Sequence, residues 1–158
     1  MTEPTYQQID ASLLGAEHAK AYRESNGERG YIWNGATILL LTHTGRKSGN
    51  VHTTPLIFAQ HGDDLLIVAS LGGAPMHPQW YLNLEANPTC TVQVKSDVFA
   101  ATARTATEEE KPALWSVVTA QWPNYDVYQS RTDRVIPLVV LTPGGRREPA
   151  SGPDQASA

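Results

Sequence analysis

A short cationic segment offers the first site for chemistry: Arg46, Lys47 and Ser48 lie between two glycines, directly after the apolar run ILLLTH. Two cations, a hydroxyl and glycine-freed backbone N–H groups can together hold a phosphate or a carboxylate. A Walker-type phosphate loop does not fit, because that motif needs the spacing GxxxxGK and a helix after it, whereas a strand-like segment follows here. The alternative is a solvated hairpin turn whose cations only keep the sheet edge soluble.

A second segment, VASLGGAPMHPQW, combines a strand end with flexible backbone. A strand-like run ends at Ser70, Gly72 and Gly73 follow, and a helix begins within ten residues. Glycines allow a ligand to approach the backbone closely, and a helix start offers unpaired N–H groups to an anion. The alternative is a plain strand–helix connection.

Three aromatic residues, Trp122, Tyr125 and Tyr128, are spaced three apart in a polar, turn-like segment. On one face of a short helix, their rings could wall a pocket for a flat organic molecule, with hydroxyls at its rim. Ordinary core packing is the alternative.

Several classes of function do not fit the sequence. The five histidines never fall at metal-ligand spacing with another His, Cys or carboxylate, so no metal is expected. The GxSxG motif of serine hydrolases is absent. The 12 Lys and Arg residues are outnumbered by 16 Asp and Glu residues, and a net charge of -4 argues against a nucleic-acid partner.

The chain composition predicts one cytoplasmic domain. At 158 residues it fits a single domain, which we place at residues 1–143, with a disordered tail at 144–158. No run approaches the roughly 18 consecutive apolar residues of a spanning helix, and the N-terminus lacks the pattern of a signal peptide. The one cysteine, Cys90, excludes a disulfide within the chain and suits a reducing compartment.

The elements that must position these segments follow from hydrophobic periodicity and turn signals. Helices are predicted near residues 10–26, 78–87 and 107–122, and WPNYDVYQ is predicted as a turn or short helix. The helix at 107–122 should begin with a capping box of Thr107 and Glu110, and Pro112 should make its first turn irregular. Strands are predicted near residues 36–43, 53–60, 65–70, 89–95 and 98–105 and at VIPLVVL. Short connections favour antiparallel pairing, so the prediction is an α+β domain on a closed or nearly closed antiparallel barrel of about six strands with flanking helices.

Three motifs in this order, LLLTHTGRKSGNVHTTPLIF, DDLLIVASLGG and HPQWYLNLEANPTCTVQV, resemble the deazaflavin-dependent nitroreductase family over roughly residues 38–141. The resemblance implies a split β-barrel that binds the deazaflavin coenzyme F420. It also implies an oxidoreductase that transfers a hydride from the reduced coenzyme to a flat, electron-poor acceptor such as a quinone, an activated enone or a nitroaromatic compound.

The resemblance further implies a set of site residues. The coenzyme ligands it implies are Arg46, Lys47 and Ser48 at the phosphodiester, His52, Thr54 and Pro55 on the next strand, Val68, Ala69, Ser70 and Leu71 at the ring, and Gln79, Trp80, Tyr81 and Asn83 at the helix start. Trp122, Tyr125 and Tyr128 match the substrate pocket, and we assign catalytic roles to Ser70 and Tyr125, which would hydrogen-bond the acceptor. His52 stands where family members commonly carry an arginine, which would weaken the anion site.

Two other functions stay open from the sequence. One is an enzyme that uses flavin mononucleotide on a similar barrel, and the other is a carrier that binds the deazaflavin without turnover. A quinone substrate would give the N-terminal helix a role as a weak contact with the inner face of a membrane, although its acidic composition argues against strong binding. Barrels of this type often form homodimers.

Overall fold

The computed structural model describes residues 15–144 and 148–149. Its helices are α1 (Gly15–Ser25), α2 (Gln79–Ala86), α3 (Lys111–Gln121) and α4 (Asn124–Ser130). Its strands are β1 (Ile32–Trp33), β2 (Ala36–Thr44), β3 (Val51–Ile57), β4 (Ala59–His61), β5 (Asp64–Val68), β6 (Thr89–Val94), β7 (Asp97–Thr105), β8 (Leu138–Pro143) and β9 (Glu148–Pro149). The predicted order of helices and long strands is confirmed. Among the described helices, none has the length and apolarity to cross a membrane.

The strands form one curled antiparallel sheet, as predicted. The order along the sheet is β1-β2-β6-β7-β8-β5-β4, and β3 pairs with β2. Because β3 and β4 are consecutive in the chain, the two ends of the sheet are joined through one short bend. The α+β prediction with a barrel-like antiparallel sheet is therefore confirmed.

The predicted strand at 53–60 is two strands, and the bend between them lies at Phe58. The buried Phe58 donates its N–H to the Thr37 carbonyl at 3.0 Å, and its carbonyl accepts from Thr37 Oγ1 at 2.9 Å and from Gln121 Nε2 at 3.0 Å. These contacts satisfy the backbone where the strand leaves β2 and turns to pair with β5. They involve residues far away in the sequence, so the local pattern could not predict the bend.

Alternate residues of the long strands enter three separate clusters of buried side chains. Leu39 and Leu41 of β2 pack inside the barrel with the inward residues of β5 and β8, and Leu66 and Val140 on the opposite faces pack against α3 and α4. The residues on the other face of β2 pack against α1. Both faces are therefore buried, which explains why β2 and β8 are continuous apolar runs rather than alternating ones.

The first turn of α3 is irregular, as predicted. The Thr107 N–H donates to the Glu110 carboxylate and the Glu110 N–H donates to Thr107 Oγ1, which is the predicted capping box. The regular helix begins only at Lys111, because residues 108–110 form a turn ahead of Pro112.

Two expectations fall partly outside the described residues. Positions 10–14 of the predicted N-terminal helix lie there, and α1 begins at Gly15. Most of the predicted disordered tail also lies outside the described residues, although Glu148–Pro149 pairs with β7.

The loop after β5 has an unusual backbone. Leu71, Gly72 and Gly73 have φ values of 44°, 63° and 87°, and for a leucine this left-handed conformation is strained. A Cβ at Gly73 would lie 2.6 Å from the Tyr128 carbonyl oxygen, so α4 packs directly on this glycine. The loop can take this path only with glycine at position 73.

Replacing Gly73 with alanine is therefore expected to lower the free energy of unfolding by about 2 to 4 kcal/mol, from backbone strain and overpacking together. Gly62→Ala is the matched control, because φ there is +61° and no atom lies within 4 Å of the added Cβ. Urea denaturation should show a loss of only about 1 kcal/mol for the control. Equal losses of unfolding free energy in the two variants would mean that the close contact between Gly73 and α4 does not affect stability.

Candidate functional site

A cleft of about 830 Å³ lies between the β2–β3 loop, β3, the end of β5 and helices α1, α2 and α4. One end is polar and cationic, with Arg46, Lys47 and Ser48 from the β2–β3 loop. The other end is aromatic, with Trp122, Tyr125 and Tyr128. The three segments singled out in the sequence thus meet in one cleft.

The structure brings almost all of the predicted site residues to this cleft. The lining includes Arg46, Lys47, Ser48, His52, Thr54, Pro55, Val68, Ser70, Leu71, Gln79, Trp80, Asn83, Trp122, Tyr125 and Tyr128. Two predicted residues do not line it. Ala69 and Tyr81 are buried in the barrel core, where the Tyr81 hydroxyl hydrogen-bonds Thr105 Oγ1 at 2.7 Å.

The cationic loop is a closed turn. The Gly45 N–H donates to the Asn50 carbonyl at 2.7 Å, and the Gly49 N–H donates to the Gly45 carbonyl at 2.9 Å. Ser48 Oγ accepts from the Asn50 N–H at 3.0 Å and keeps its own hydrogen for donation. The turn therefore presents a hydroxyl donor beside two cations.

Arg46 is held in place by α2. Its Nη1 donates to Gln79 Oε1 at 2.9 Å and to Asn83 Oδ1 at 3.1 Å. Within residues 15–144, no group accepts from its Nε or Nη2. Those two nitrogens form the fork that binds a phosphate or carboxylate in bidentate fashion, so the contacts with α2 leave Arg46 ready for an anion.

His43 is a site residue that the sequence reasoning missed, since it was considered only as a metal ligand. It is buried in β2 and lines the cleft, with Nε2 3.1 Å from Thr54 Oγ1 and Nδ1 3.1 Å from Asn83 Nδ2. Its position on the same face of β2 as Leu39 and Leu41 was the available signal. Burial, and to a lesser extent the charge of His52, lower the pKa of His43 to about 4.

The lowered pKa of His43 predicts a pH-dependent stability. Well above pH 6.5 the residue is neutral in both states. As the pH falls through 6.5, the unfolded chain gains a proton that folded His43 takes up only near pH 4. The free energy of unfolding should therefore fall by about 2 kcal/mol from this residue between pH 7 and pH 5. Denaturation of the His43→Phe variant at pH 7 and pH 5 should show a fall in the free energy of unfolding that is smaller than the wild type's by about that amount. An equal fall in the two proteins would contradict the prediction.

Arg134, also missed, fixes the loop at the end of β5. Its guanidinium donates to the carbonyls of Ala74, Ala69 and Ser70 at 2.8, 3.2 and 2.8 Å, and it contacts His77 Nδ1 at 3.0 Å. These contacts join a residue just before β8 to a loop about 60 positions earlier, so local sequence carries no signal for them. They hold the Ser70 backbone at the cleft wall.

Two buried hydroxyls at the cleft have no hydrogen-bond partner among the described residues. Tyr125 and Ser70 are 5% and 8% exposed, and no described residue hydrogen-bonds the Tyr125 hydroxyl or Ser70 Oγ. By contrast, the Tyr128 hydroxyl accepts from Trp122 Nε1 at 3.3 Å. Burial raises the pKa of Tyr125, so its hydroxyl stays protonated and can donate a hydrogen bond to a ligand.

Further lining residues were not among the predicted site residues. Trp33 packs on Trp122 with ring centroids 5.6 Å apart, and His18 of α1 is buried with Nε2 2.8 Å from the Gly30 carbonyl. The others are Gly15, Ile38, Gly45, Leu56, Ile57, Gly72 and Pro78. Within the described residues, no three His, Cys, Asp or Glu side chains group as a metal site.

Comparison with known proteins identifies relatives along most of the chain. The family model described as F420H(2)-dependent quinone reductase matches residues 14–143. A Mycobacterium tuberculosis protein named F420H(2)-dependent quinone reductase is 44% identical over 129 residues, which are 79% of this chain and 87% of that protein.

Solved structures agree with these matches. A structure described as an F420-H2 dependent reductase (FDR-A) is 41% identical, with a TM-score of 0.62, over 66% of this chain and 92% of that one. Another, described as a domain-swapped dimer, is 36% identical, with a TM-score of 0.65, over 79% of this chain and 94% of that one.

Proposed function

Because this chain belongs to the F420H(2)-dependent quinone reductase family, we propose that it transfers a hydride from reduced coenzyme F420 to a quinone held at the aromatic end of the cleft. The observation that carries the proposal is the pair of buried hydroxyls of Tyr125 and Ser70, which no described residue hydrogen-bonds, in a cleft whose other end carries cations that suit an anion.

The cationic end fits the phosphate of the coenzyme. Arg46 offers the Nε and Nη2 fork, Ser48 offers its hydroxyl, and Lys47 adds a positive charge. His52 lies on β3 at the same end of the cleft and is exposed. The permanent positive charges at this end are those of Arg46 and Lys47, which carry the attraction for the anion.

The middle of the cleft fits a flat ring. Val68 and Leu71 from the end of β5 and Trp80 from α2 contribute apolar surface, and Thr54 and Pro55 of β3 contribute to the same lining. When bound, the reduced deazaflavin supplies the hydride, because it carries carbon where a flavin carries nitrogen. The protein's tasks are to hold the acceptor and to exclude water.

Ser70 and Tyr125 suit the acceptor oxygens of a quinone. A carbonyl oxygen that gains negative charge during reduction is stabilised by a hydrogen-bond donor in a water-poor site. The raised pKa of Tyr125 favours hydrogen-bond donation over complete loss of its proton. Trp122 and Tyr128 form the walls that would stack on a flat acceptor.

The proposal is tested by mixing the protein with reduced coenzyme F420 and one acceptor at a time, a quinone, an activated enone or a nitroaromatic compound, and following oxidation of the coenzyme by its absorbance. We expect the quinone to give the largest kcat/KM. Faster turnover of an enone or a nitro compound would reassign the substrate class. Coenzyme binding without turnover of any acceptor would instead support a carrier.

Two further features belong to the same proposal. A cytoplasmic location is supported by the single buried cysteine, Cys90, which needs no oxidising compartment. A homodimer is supported by the similar structure described as a domain-swapped dimer, and light scattering in solution would test it. A weak contact with the membrane surface would give access to lipid-soluble quinones and would be detected by co-sedimentation with anionic vesicles.

A further inference from the structure

The contacts of Asn83 determine which way its amide faces. Asn83 Oδ1 lies 3.1 Å from both the backbone nitrogen and Nη1 of Arg46, and each of these can only donate. The atom facing Arg46 must therefore be the oxygen. The amide nitrogen then faces His43 Nδ1 at 3.1 Å, and it too can only donate.

This orientation fixes the tautomer of His43. Nδ1 must be the unprotonated acceptor, so the ring proton lies on Nε2 and is donated to Thr54 Oγ1 at 3.1 Å. Because Thr54 Oγ1 accepts from His43, its own hydrogen is left to donate. Among the described residues no acceptor takes that hydrogen, and Thr54 lines the cleft.

We propose that His43 is a positioning residue that, as the neutral Nε2–H imidazole, orients both Arg46, through Asn83, and the Thr54 hydroxyl as donors toward the anionic part of the coenzyme. The proposal rests on the proposed function, because it assigns the cationic end of the cleft to that anion. In this arrangement the Asn83 oxygen holds Arg46 and one Nδ2 hydrogen is donated to His43, so the second Nδ2 hydrogen is the one left for the coenzyme.

The surroundings of His43 keep it neutral. His52 of β3 lies with its ring centroid 5.6 Å away, Arg46 of the β2–β3 loop approaches through Asn83 of α2, and no carboxylate of the described residues contacts the ring. Burial and His52 both lower the pKa of His43. A protonated ring would direct an N–H at the Asn83 amide hydrogens, so the arrangement works only with the neutral form.

The first test compares two ligands: oxidised coenzyme F420 and the deazaflavin nucleoside that lacks the phosphate and its tail. In His43→Phe, binding of the full coenzyme measured by fluorescence should weaken roughly tenfold. Binding of the nucleoside should stay within about twofold, because the nucleoside makes no anion contact. His61→Phe, at an exposed position of β4 outside the cleft, is the control and should leave both unchanged.

Equal loss of both ligands in His43→Phe would overturn the positioning role, because it would mean general damage to the cleft. Unchanged binding of both would overturn it as well. If the wild-type protein binds neither deazaflavin, the proposed function fails at the outset, and that outcome is distinct from any result obtained with the variant alone.

The second test needs no coenzyme. Long-range proton–nitrogen correlations in the NMR spectrum of the wild-type protein at pH 7 should show His43 with Nε2 protonated and Nδ1 bare. Asn83→Asp should place a carboxylate oxygen against Nδ1 and move the titration of His43 to higher pH. A proton on Nδ1 in the wild type, or an unmoved titration in the variant, would overturn the assignment.

Discussion

Replacing Tyr125 with phenylalanine is expected to lower the turnover number about 10- to 100-fold, the loss associated with one hydrogen bond to a developing negative charge. Affinity for the coenzyme should be unchanged, because the cationic end of the cleft is untouched. Turnover should fall because the Tyr125 hydroxyl is buried at the cleft and has no hydrogen-bond partner among the described residues, which leaves it to donate to the acceptor. Steady-state kinetics with reduced coenzyme F420 and a quinone measures the effect.

Tyr128→Phe is the matched control for this prediction. Tyr128 lines the same end of the cleft and is buried to a similar degree, but its hydroxyl already accepts from Trp122 Nε1. Because the proposal assigns the hydrogen bond to the acceptor oxygen to Tyr125, loss of the Tyr128 hydroxyl should reduce turnover much less. If both variants lose the same activity, or if Tyr125→Phe keeps full turnover, Tyr125 has no role in stabilising the acceptor.

Replacing Arg46 with alanine is expected to weaken binding of oxidised coenzyme F420 by about 10- to 150-fold, equivalent to about 1.5 to 3 kcal/mol for a charge-assisted contact. The variant removes the free Nε and Nη2 fork and leaves Asn83 Oδ1 and Gln79 Oε1 without their donor. Lys47→Ala should have a smaller effect of the same sign, because Lys47 adds charge without a bidentate fork.

The control is Arg29→Ala, which removes an exposed arginine that does not line the cleft and should bind the coenzyme as the wild type does. The Arg46→Ala deficit should also shrink at high salt, because the contact is electrostatic and exposed. A variant that binds with wild-type affinity at low salt would contradict the anion-site assignment.

Local patterns were enough to predict the main elements. The apolar run before Arg46 forms β2, the glycine-flanked cations form the β2–β3 turn, and the capping box at Thr107 precedes α3. Each depends on residues within a few positions of one another, which is where propensity and turn chemistry are informative.

The parts that could not be predicted depend on contacts between distant positions. Phe58 bends the sheet because its backbone is paired with Thr37 and Gln121, and Arg134 holds the carbonyls of the loop after β5. The buried His43 needed the pairing of β2 with β3 and the packing of α2 before its partners could be named. A single sequence carries no sign of which distant groups complete these hydrogen bonds.

We propose that the cleft binds a deazaflavin coenzyme with its anion at Arg46 and Lys47. The most direct test is a fluorescence titration of the purified protein with oxidised coenzyme F420, run beside flavin mononucleotide. We predict saturable binding that favours coenzyme F420 and weakens as salt is added. Preference for flavin mononucleotide, or binding of neither molecule, would contradict the claim.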